Sequence, residues 1–230
     1  MRLAGVLFGI YLAVVSAPVM AETIVDGNFA DWSFSSYGTG TGSAAMTVES
    51  SGGHPGARLN VTTVTGAGDT FFGTGIKDDF STTAPLSGEF TLSLDVLSGP
   101  GGFGQGQFVD LLVEQNGTIY ATALGVTGWP FNTFTTLSFP GTFDASSFGR
   151  VIGAGPTQPV FDGSVSTKFG FAAGNTDSGD LTQYYDNFRL DVPSLSGASA
   201  APTLTPMGLA LLTVLLVAAG VRSARQRRTA

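Results

Sequence analysis

The sequence predicts an all-β protein, an antiparallel β-sandwich of the jelly-roll type, with an N-terminal signal peptide and one C-terminal transmembrane helix. Glycine (33 residues) and phenylalanine (18 residues) are abundant, whereas charged residues make up only 12% of the chain. Glycine suits tight turns, and phenylalanine, threonine and valine suit a pleated, half-buried surface. Apolar and polar residues also alternate along many short runs, which is typical of strands that bury one face.

Residues 1–21 have the order of a secretory signal peptide. Arg2 supplies the positive charge, an apolar stretch runs from Leu3 to Val15, and Pro18 ends it. Val19-Met20-Ala21 then places small residues at the two positions that a signal peptidase reads. We therefore expect cleavage after Ala21 and export of the remaining chain, with a retained membrane anchor as the alternative.

Residues 22–193 form the predicted β-sandwich ectodomain. Its alternating runs are residues 57–64, 89–96, 108–114, 118–124, 133–139, 168–172 and 183–192. In the second run Phe90, Leu92, Leu94 and Val96 share one face. Asn116-Gly117 separates two runs, which is a strong hairpin signal. One polar and one apolar face per strand predicts two sheets packed face to face, with about eight to ten strands in all.

The predicted ectodomain is strongly acidic. All 17 acidic residues lie between Glu22 and Asp191, together with only five basic residues, which gives this region a net charge of −12. Such a surface repels phosphate backbones, so nucleic acid is not an expected partner. The same charge suits divalent cations.

Residues for catalysis are scarce. The chain has no cysteine, which excludes thiolate catalysis and cysteine–zinc sites, and its one histidine is His54. His54 lies in a predicted loop, and no Gly-x-Ser-x-Gly motif accompanies it. We therefore predict that the protein is not an enzyme. A polysaccharide-active enzyme stays open as the second alternative, because a pair of carboxylates among so many cannot be recognised from sequence.

Sugar binding is the first alternative to a purely structural role. Flat aromatic rings stack on the apolar faces of sugars, and carboxylates and amides accept hydrogen bonds from sugar hydroxyls. The available rings are Trp32, Trp129, Tyr37, Tyr120, Tyr184 and Tyr185. Trp129, in Gly128-Trp129-Pro130, is the preferred candidate because it is expected at the tip of a loop.

The C-terminus has the composition of a membrane segment. Residues 194–201 form a linker of serine, leucine, glycine and alanine only, and residues 202–230 follow it as the last predicted unit. From Thr203 to Val221 there are 19 predominantly apolar residues, which is near the lower limit for spanning a bilayer. Arg222, Arg225, Arg227 and Arg228 come directly after them and are expected to stay in the cytoplasm.

Residues 201–208, at the start of this segment, resemble the IPTL-type C-terminal sorting signal of Gram-negative bacteria, a relative of the Pro-Glu-Pro sorting signals. Pro202, Thr203, Leu204 and Gly208 match the pattern, while Ala201 replaces its isoleucine and Met207 its tryptophan. The resemblance implies recognition by an exosortase-like membrane transpeptidase. It also implies an inner-membrane-anchored precursor that is passed to the cell surface or the extracellular matrix, often in association with exopolysaccharide.

The two ends of the ectodomain resemble jelly-roll carbohydrate-binding modules. Val25-Asp26-Gly27-Asn28-Phe29-Ala30-Asp31-Trp32 opens the domain, and Tyr184-Tyr185-Asp186-Asn187-Phe188-Arg189-Leu190 closes it. The resemblance implies that the first and last strands pair and that acidic residues near them hold a structural calcium ion. Asp26, Asn28 and Asp186 are then the candidate ligands, while the alternative is that they only shape a turn or lie in solvent.

These observations together predict an exported, non-catalytic protein of the cell surface or matrix. Its expected partners are the membrane, through the C-terminal helix, an exosortase-like processing enzyme and polysaccharide. A dedicated carbohydrate-binding module is the first alternative to this function.

Overall fold

The computed structural model describes residues 22–99, 107–127, 130–175 and 179–192. The predicted signal peptide, linker, sorting motif and arginine tail lie outside these ranges, as does Trp129. Within the described ranges, no helix has the length and apolar character needed to cross a membrane. The boundaries predicted for the terminal segments therefore stay predictions.

The described residues form twelve strands and one short 3₁₀ turn. The strands are β1 (Glu22–Asp26), β2 (Trp32–Thr39), β3 (Ser43–Gly53), β4 (Gly56–Thr65), β5 (Thr70–Lys77), β6 (Glu89–Ser98), β7 (Gln107–Gln115), β8 (Thr118–Thr127), β9 (Thr135–Thr142), β10 (Gly149–Ile152), β11 (Lys168–Asn175) and β12 (Gly179–Val192). The 3₁₀ turn covers Ala145–Ser147, and Asp144 caps it by accepting a hydrogen bond from the backbone of Ser146. Six of the seven alternating runs lie within strands, and the seventh, residues 133–139, begins two residues before β9. The predicted all-β class is therefore confirmed for this part of the chain.

The strands form two six-stranded antiparallel sheets. Sheet A has the order β3-β4-β12-β6-β9, and β1 pairs with the C-terminal half of β12. Sheet B has the order β10-β8-β7-β11-β5-β2. The pairs β3–β4 and β7–β8 are hairpins, whereas most other neighbouring strands come from distant parts of the sequence. Non-local pairing therefore holds much of the sandwich together.

The turn at Asn116-Gly117 sets the register in which β7 and β8 pair. The Asn116-Gly117 turn joins β7 to β8, with φ values of 52° and 74° at its two residues. Asparagine and glycine tolerate this left-handed conformation better than other residues, and the turn formed by two such residues matches the twist of paired strands. The predicted hairpin is confirmed.

The core lies between the two sheets and is rich in aromatic rings. Trp32 of β2 meets Phe188 of β12 edge to face at 5.0 Å and Phe171 of β11 at 5.8 Å between ring centroids. Leu92 and Leu94 of β6 are fully buried in the same cluster. Burial of this apolar surface is the main stabilising contribution to the fold.

The outer face of sheet B carries an apolar cluster, so this face is not uniformly polar as expected. Val109, Leu111 and Val113 of β7 belong to the core, whereas Leu112 points to the opposite face. Leu112 is buried there with Ile76 and Ala172, and it is flanked by the half-buried residues Tyr37, Phe72, Ile119 and Ala121.

Candidate functional site

Cross-strand pairing places aromatic residues in one row on the outer face of sheet B. Tyr37 on β2 lies opposite Phe72 on β5, Phe72 lies opposite Gly174 on β11, and Gly174 lies opposite Phe108 on β7. The row therefore crosses four strands, and three of its four members are rings. Only the folded sheet brings together these rings, which lie far apart in sequence.

Gly174 lets the rings of this row meet. Tyr37 stacks on Phe72 with centroids 4.4 Å apart and planes 7° apart, and Phe108 meets Phe72 edge to face at 4.2 Å. A Cβ atom on Gly174 would lie 2.9 Å from the Phe72 ring and 3.0 Å from the Phe108 ring. A glycine is needed here because the two rings approach each other above its backbone.

The next row along the strands carries the polar groups. Ser35 and Thr74 share a hydrogen bond of 2.7 Å between their hydroxyls. Asp110 on β7 lies in the same row, opposite Ala172 on β11 and Ala123 on β8. Because both neighbours of Asp110 are alanines, no long side chain stands beside its carboxylate in this row.

Asp110 is a buried carboxylate that accepts a hydrogen bond from a tyrosine. Its residue exposure is 6%, and the Tyr37 hydroxyl donates a hydrogen bond of 2.9 Å to its Oδ2 atom. Burial raises the pKa of Asp110 to about 6, although the bond from Tyr37 acts in the opposite direction. Burial and the nearby Asp110 charge also raise the pKa of Tyr37, so its hydroxyl stays protonated and remains a donor.

We call Tyr37, Phe72, Phe108 and Asp110 the aromatic–carboxylate site. Aromatic surface next to a hydrogen-bond acceptor is the combination that sugar binding needs, because a pyranose has apolar C–H faces and polar hydroxyls at its rim. The sequence prediction included Tyr37 among six rings but missed its partners. One signal was present, since Asp110 is the single charged residue in the otherwise apolar run Phe108–Val113.

The first candidate calcium ligand, Asp26, is already paired with a cation. Its Oδ2 atom accepts a hydrogen bond of 2.6 Å from Lys77 Nζ and one of 3.1 Å from Trp32 Nε1. Its Oδ1 atom accepts bonds from the backbone N–H groups of Asn28 and Phe29. Burial would raise the pKa of Asp26, but Lys77 and the other donors lower it below its usual range. Asp26 is therefore already paired with the Lys77 cation, and its predicted role as a calcium ligand stays a prediction.

The other two candidate calcium ligands, Asn28 and Asp186, differ from Asp26 and from each other in burial and in hydrogen-bond partners. Asn28 is exposed, and its Oδ1 atom accepts a hydrogen bond of 2.9 Å from the backbone of Ala30. Asp186 is fully buried, and it accepts hydrogen bonds from the backbone N–H groups of His54 and Asn187. Burial raises the pKa of Asp186, and the nearby Asp95 acts in the same direction.

The predicted pairing of the first and last strands is confirmed, since Asp26 of β1 lies opposite Phe188 of β12. Beside this pair is a cleft of about 760 Å³, whose lining includes Asp26, Lys77, Asp95 and Asn187. Within the described ranges, no three acidic or histidine residues are grouped so that they could hold a metal ion. Calcium bound through Asp186 stays a prediction.

His54 lies in the turn between β3 and β4, and its ring is held by a carboxylate. Its Nδ1 atom is 3.1 Å from Asp95 Oδ2, and the Asn187 side chain donates a hydrogen bond of 2.8 Å to the same oxygen. Thr136 donates to the other Asp95 oxygen rather than to the histidine. Among the bonds of the described residues, no hydroxyl contacts the His54 ring, so these contacts assemble a histidine–carboxylate pair without a nucleophile.

The remaining predicted site residues lie outside the described ranges. They are Trp129, the sorting-motif residues Pro202, Thr203, Leu204 and Gly208, and the arginines Arg222, Arg225, Arg227 and Arg228. The roles predicted for them are unchanged.

Comparison with known proteins gives similarity of fold only. No protein-family model and no curated protein sequence matches the chain. Among solved structures, it is similar to a family 11 carbohydrate-binding module from Clostridium thermocellum in complex with a β-1,3-1,4-mixed-linked tetrasaccharide. That match has 18% identity, covers 76% of this chain and 97% of the other, and has a TM-score of 0.47.

The chain is also similar to the CBM22-1 xylan-binding domain of Paenibacillus barcinonensis Xyn10C. This second match has 13% identity, covers 78% of this chain and 100% of the other, and has a TM-score of 0.44. Both TM-scores are below 0.5, so the function proposed below rests on the residues of this chain and not on these similarities.

Proposed function

We propose that the protein is a non-catalytic carbohydrate-binding protein that holds glycan chains on the outer face of sheet B. The observation on which the proposal rests is the stacked Tyr37–Phe72 pair, whose tyrosine hydroxyl is bonded to the Asp110 carboxylate at 2.9 Å. This arrangement favours the carbohydrate-binding alternative over a purely structural role, because a structural sheet face needs no buried carboxylate.

The two kinds of group in the site match the two kinds of surface on a sugar. Aromatic rings bury the C–H face of a pyranose and supply most of the contact area. A carboxylate oxygen accepts hydrogen bonds from sugar hydroxyls and fixes their orientation. Tyr37 and Phe72 are half-buried, whereas Phe108 is only 7% exposed. A glycan chain lying along the row would therefore contact mainly the Tyr37 and Phe72 rings.

We also propose that the protein is exported. The signal peptide predicted at residues 1–21 would deliver the domain outside the cytoplasm, and the predicted C-terminal segment would anchor it in the inner membrane for an exosortase-like enzyme. Polysaccharide at the cell surface or in the matrix would then be the ligand within reach.

A glycan-binding assay on the full-length protein tests the proposal. We expect binding to at least one polysaccharide in a panel of neutral and charged glycans, with no turnover of the bound chain. Tyr37→Ala should weaken that binding about fivefold or more, since stacking of one ring contributes on the order of 1 kcal/mol or more. Tyr37→Phe keeps the ring and loses the bond to Asp110, so its effect should be smaller.

Tyr184→Ala is the matched control, because Tyr184 is also a tyrosine at a half-buried position but lies on sheet A beneath the Arg58 guanidinium. This variant should bind glycans like the unmodified protein. Absence of binding to every glycan, or equal losses in Tyr37→Ala and Tyr184→Ala, would contradict the proposed site. Selective loss of binding in Trp129→Ala would move the site to the loop predicted from sequence.

A further inference from the structure

The charge of Asp110 is not balanced by a neighbouring cation. The described part of the chain contains five basic side chains, and four of them form ion pairs elsewhere: Arg58 with Glu49, Lys77 with Asp26 and Asp79, Lys168 with Asp78 and Glu114, and Arg189 with Asp191. The fifth, Arg150, donates a hydrogen bond to the backbone of Gly155. Asp110 therefore has no cationic partner among the described residues.

An unpaired carboxylate is costly in this position. Asp110 has little contact with water, and the group that donates a hydrogen bond to it is the neutral hydroxyl of Tyr37. Removing a carboxylate from water without a cation or several strong donors disfavours its charged form. The raised pKa of Asp110, about 6, has the same cause. A cation brought in by a ligand would remove this penalty.

The rings beside Asp110 also favour a cation. Tyr37, Phe72 and Phe108 form the adjacent row of the sheet face. Aromatic rings attract ammonium groups through the negative potential of their faces, and ammonium recognition by several rings is a known use of this attraction. A carboxylate and three rings together make a better site for an ammonium group than either does alone.

The classes of glycan differ in how they would meet this site. Uronic acid chains carry negative charge and are repelled both by Asp110 and by a domain with a net charge of −12. Neutral sugars donate hydroxyl hydrogen bonds but leave the Asp110 carboxylate without a positive partner. Amino sugars with free amino groups carry an ammonium ion, so they supply both the hydrogen bonds and the positive charge.

We propose that the aromatic–carboxylate site selects glycans that contain hexosamine units with free amino groups, and that the ammonium group of such a unit pairs with Asp110. This inference rests on the proposed function, since it names the substrate class of the same site. It predicts that de-N-acetylation of a hexosamine chain strengthens its binding.

The test compares oligomers of one length by calorimetry with the full-length protein near pH 6.5. The probes are the glucosamine tetramer, the N-acetylglucosamine tetramer, cellotetraose and tetragalacturonate. We expect the glucosamine tetramer to bind about tenfold more tightly than its N-acetylated form, as one buried ion pair allows. Asp110→Asn, which keeps the shape of the side chain, should remove this preference.

Asp180→Asn is the control for overall charge, because Asp180 is an exposed carboxylate on β12 and this change removes the same charge. It should leave the preference for glucosamine intact. Equal losses in Asp110→Asn and Asp180→Asn, or equal affinity of the glucosamine and N-acetylglucosamine tetramers, would overturn the amino-sugar inference while leaving glycan binding in place. Absence of binding to all four tetramers and to the wider polysaccharide panel would overturn the proposed function as well.

Discussion

At the scale of residues, Asp110 places a charged side chain in a strand that is otherwise apolar from Phe108 to Val113. β7 is buried on both faces, and every residue from Phe108 to Val113 except Asp110 is apolar. An apolar side chain at this position would have been compatible with the neighbouring Leu112 and Ala172. The carboxylate lowers the stability of the folded state unless a ligand or a proton neutralises it.

The stability of the protein should therefore depend on the protonation of Asp110. Its pKa rises from the usual value near 3.8 to about 6 on folding, so the folded state binds this proton more tightly than the unfolded state. The stabilising effect is complete below pH 4 and is lost as the pH rises through 6, with a total of at most about 3 kcal/mol. Asp110→Asn should flatten this part of the pH dependence.

Urea unfolding at pH 4 and pH 7 gives the change in the free energy of unfolding between the two pH values. The effect of Asp110 is the difference in this change between the unmodified protein and Asp110→Asn. This difference separates Asp110 from the other carboxylates, which titrate equally in both proteins. Asp180→Asn should give the pH dependence of the unmodified protein. If Asp110→Asn and the unmodified protein lose the same free energy between the two pH values, the carboxylate is not buried as described.

At the scale of elements, β12 organises sheet A, and β5 links sheet B to it through an ion pair. β12 is 14 residues long and pairs with β4, β6 and β1, with a bulge between Asp186 and Arg189 where Asn187 has a φ of 49°. β5 ends at Lys77, whose ammonium group reaches Asp26 of β1 in the opposite sheet at 2.6 Å and Asp79 at 2.7 Å. This ion pair links the first strand to sheet B.

Lys77→Met should destabilise the protein strongly, because it leaves Asp26 buried without a cation. We expect a loss of about 3 kcal/mol in the free energy of unfolding. Lys168→Met is the matched control, since the Lys168 side chain is 33% exposed and its ion pairs with Asp78 and Glu114 lie at the surface. The control should lose less than about 1 kcal/mol.

The double variant Lys77→Met, Asp26→Asn distinguishes a buried ion pair from simple loss of side-chain packing. Asp26→Asn removes the uncompensated charge, so the double variant should be more stable than Lys77→Met alone. Denaturant unfolding of the set gives the coupling free energy between the two residues. Additive losses would show that Lys77 and Asp26 do not interact as described.

At the scale of the whole molecule, the described sandwich lies between two segments with targeting composition. Residues 22–191 carry all 17 acidic residues, whereas four of the five remaining basic residues follow the apolar stretch at the C-terminus. This separation of charge agrees with a domain on the outer side of a membrane and a tail on the inner side.

Deletion of residues 202–230 should release the protein from the membrane fraction of its bacterial host, because the predicted anchor and its arginines are removed. Fractionation followed by immunoblotting measures the distribution of the shortened and full-length chains. Replacement of Arg222, Arg225, Arg227 and Arg228 by glutamine tests orientation separately and should lower the fraction that is displayed outside. An unchanged membrane fraction after the deletion would contradict the predicted anchor.

The sequence by itself determined the all-β class, most strands and the hairpin at Asn116-Gly117, because side-chain alternation and turn residues are local properties of the chain. It did not predict β2, β3, β5 or β10 as strands. The many glycine, serine and threonine residues of the first three weaken the alternating pattern, and β10 has only four residues. These strands owe their pairing to their partners in the sheets.

Only the tertiary structure decided the partners of the functional residues. It brought Tyr37, Phe72, Phe108 and Asp110 together from strands β2, β5 and β7, and it paired Asp26 with Lys77, 51 positions away in the chain. Both arrangements depend on the order of strands in a sheet and on which face each side chain occupies. Alternation along one strand fixes two faces but does not say what lies opposite either of them, because that is set by non-local pairing.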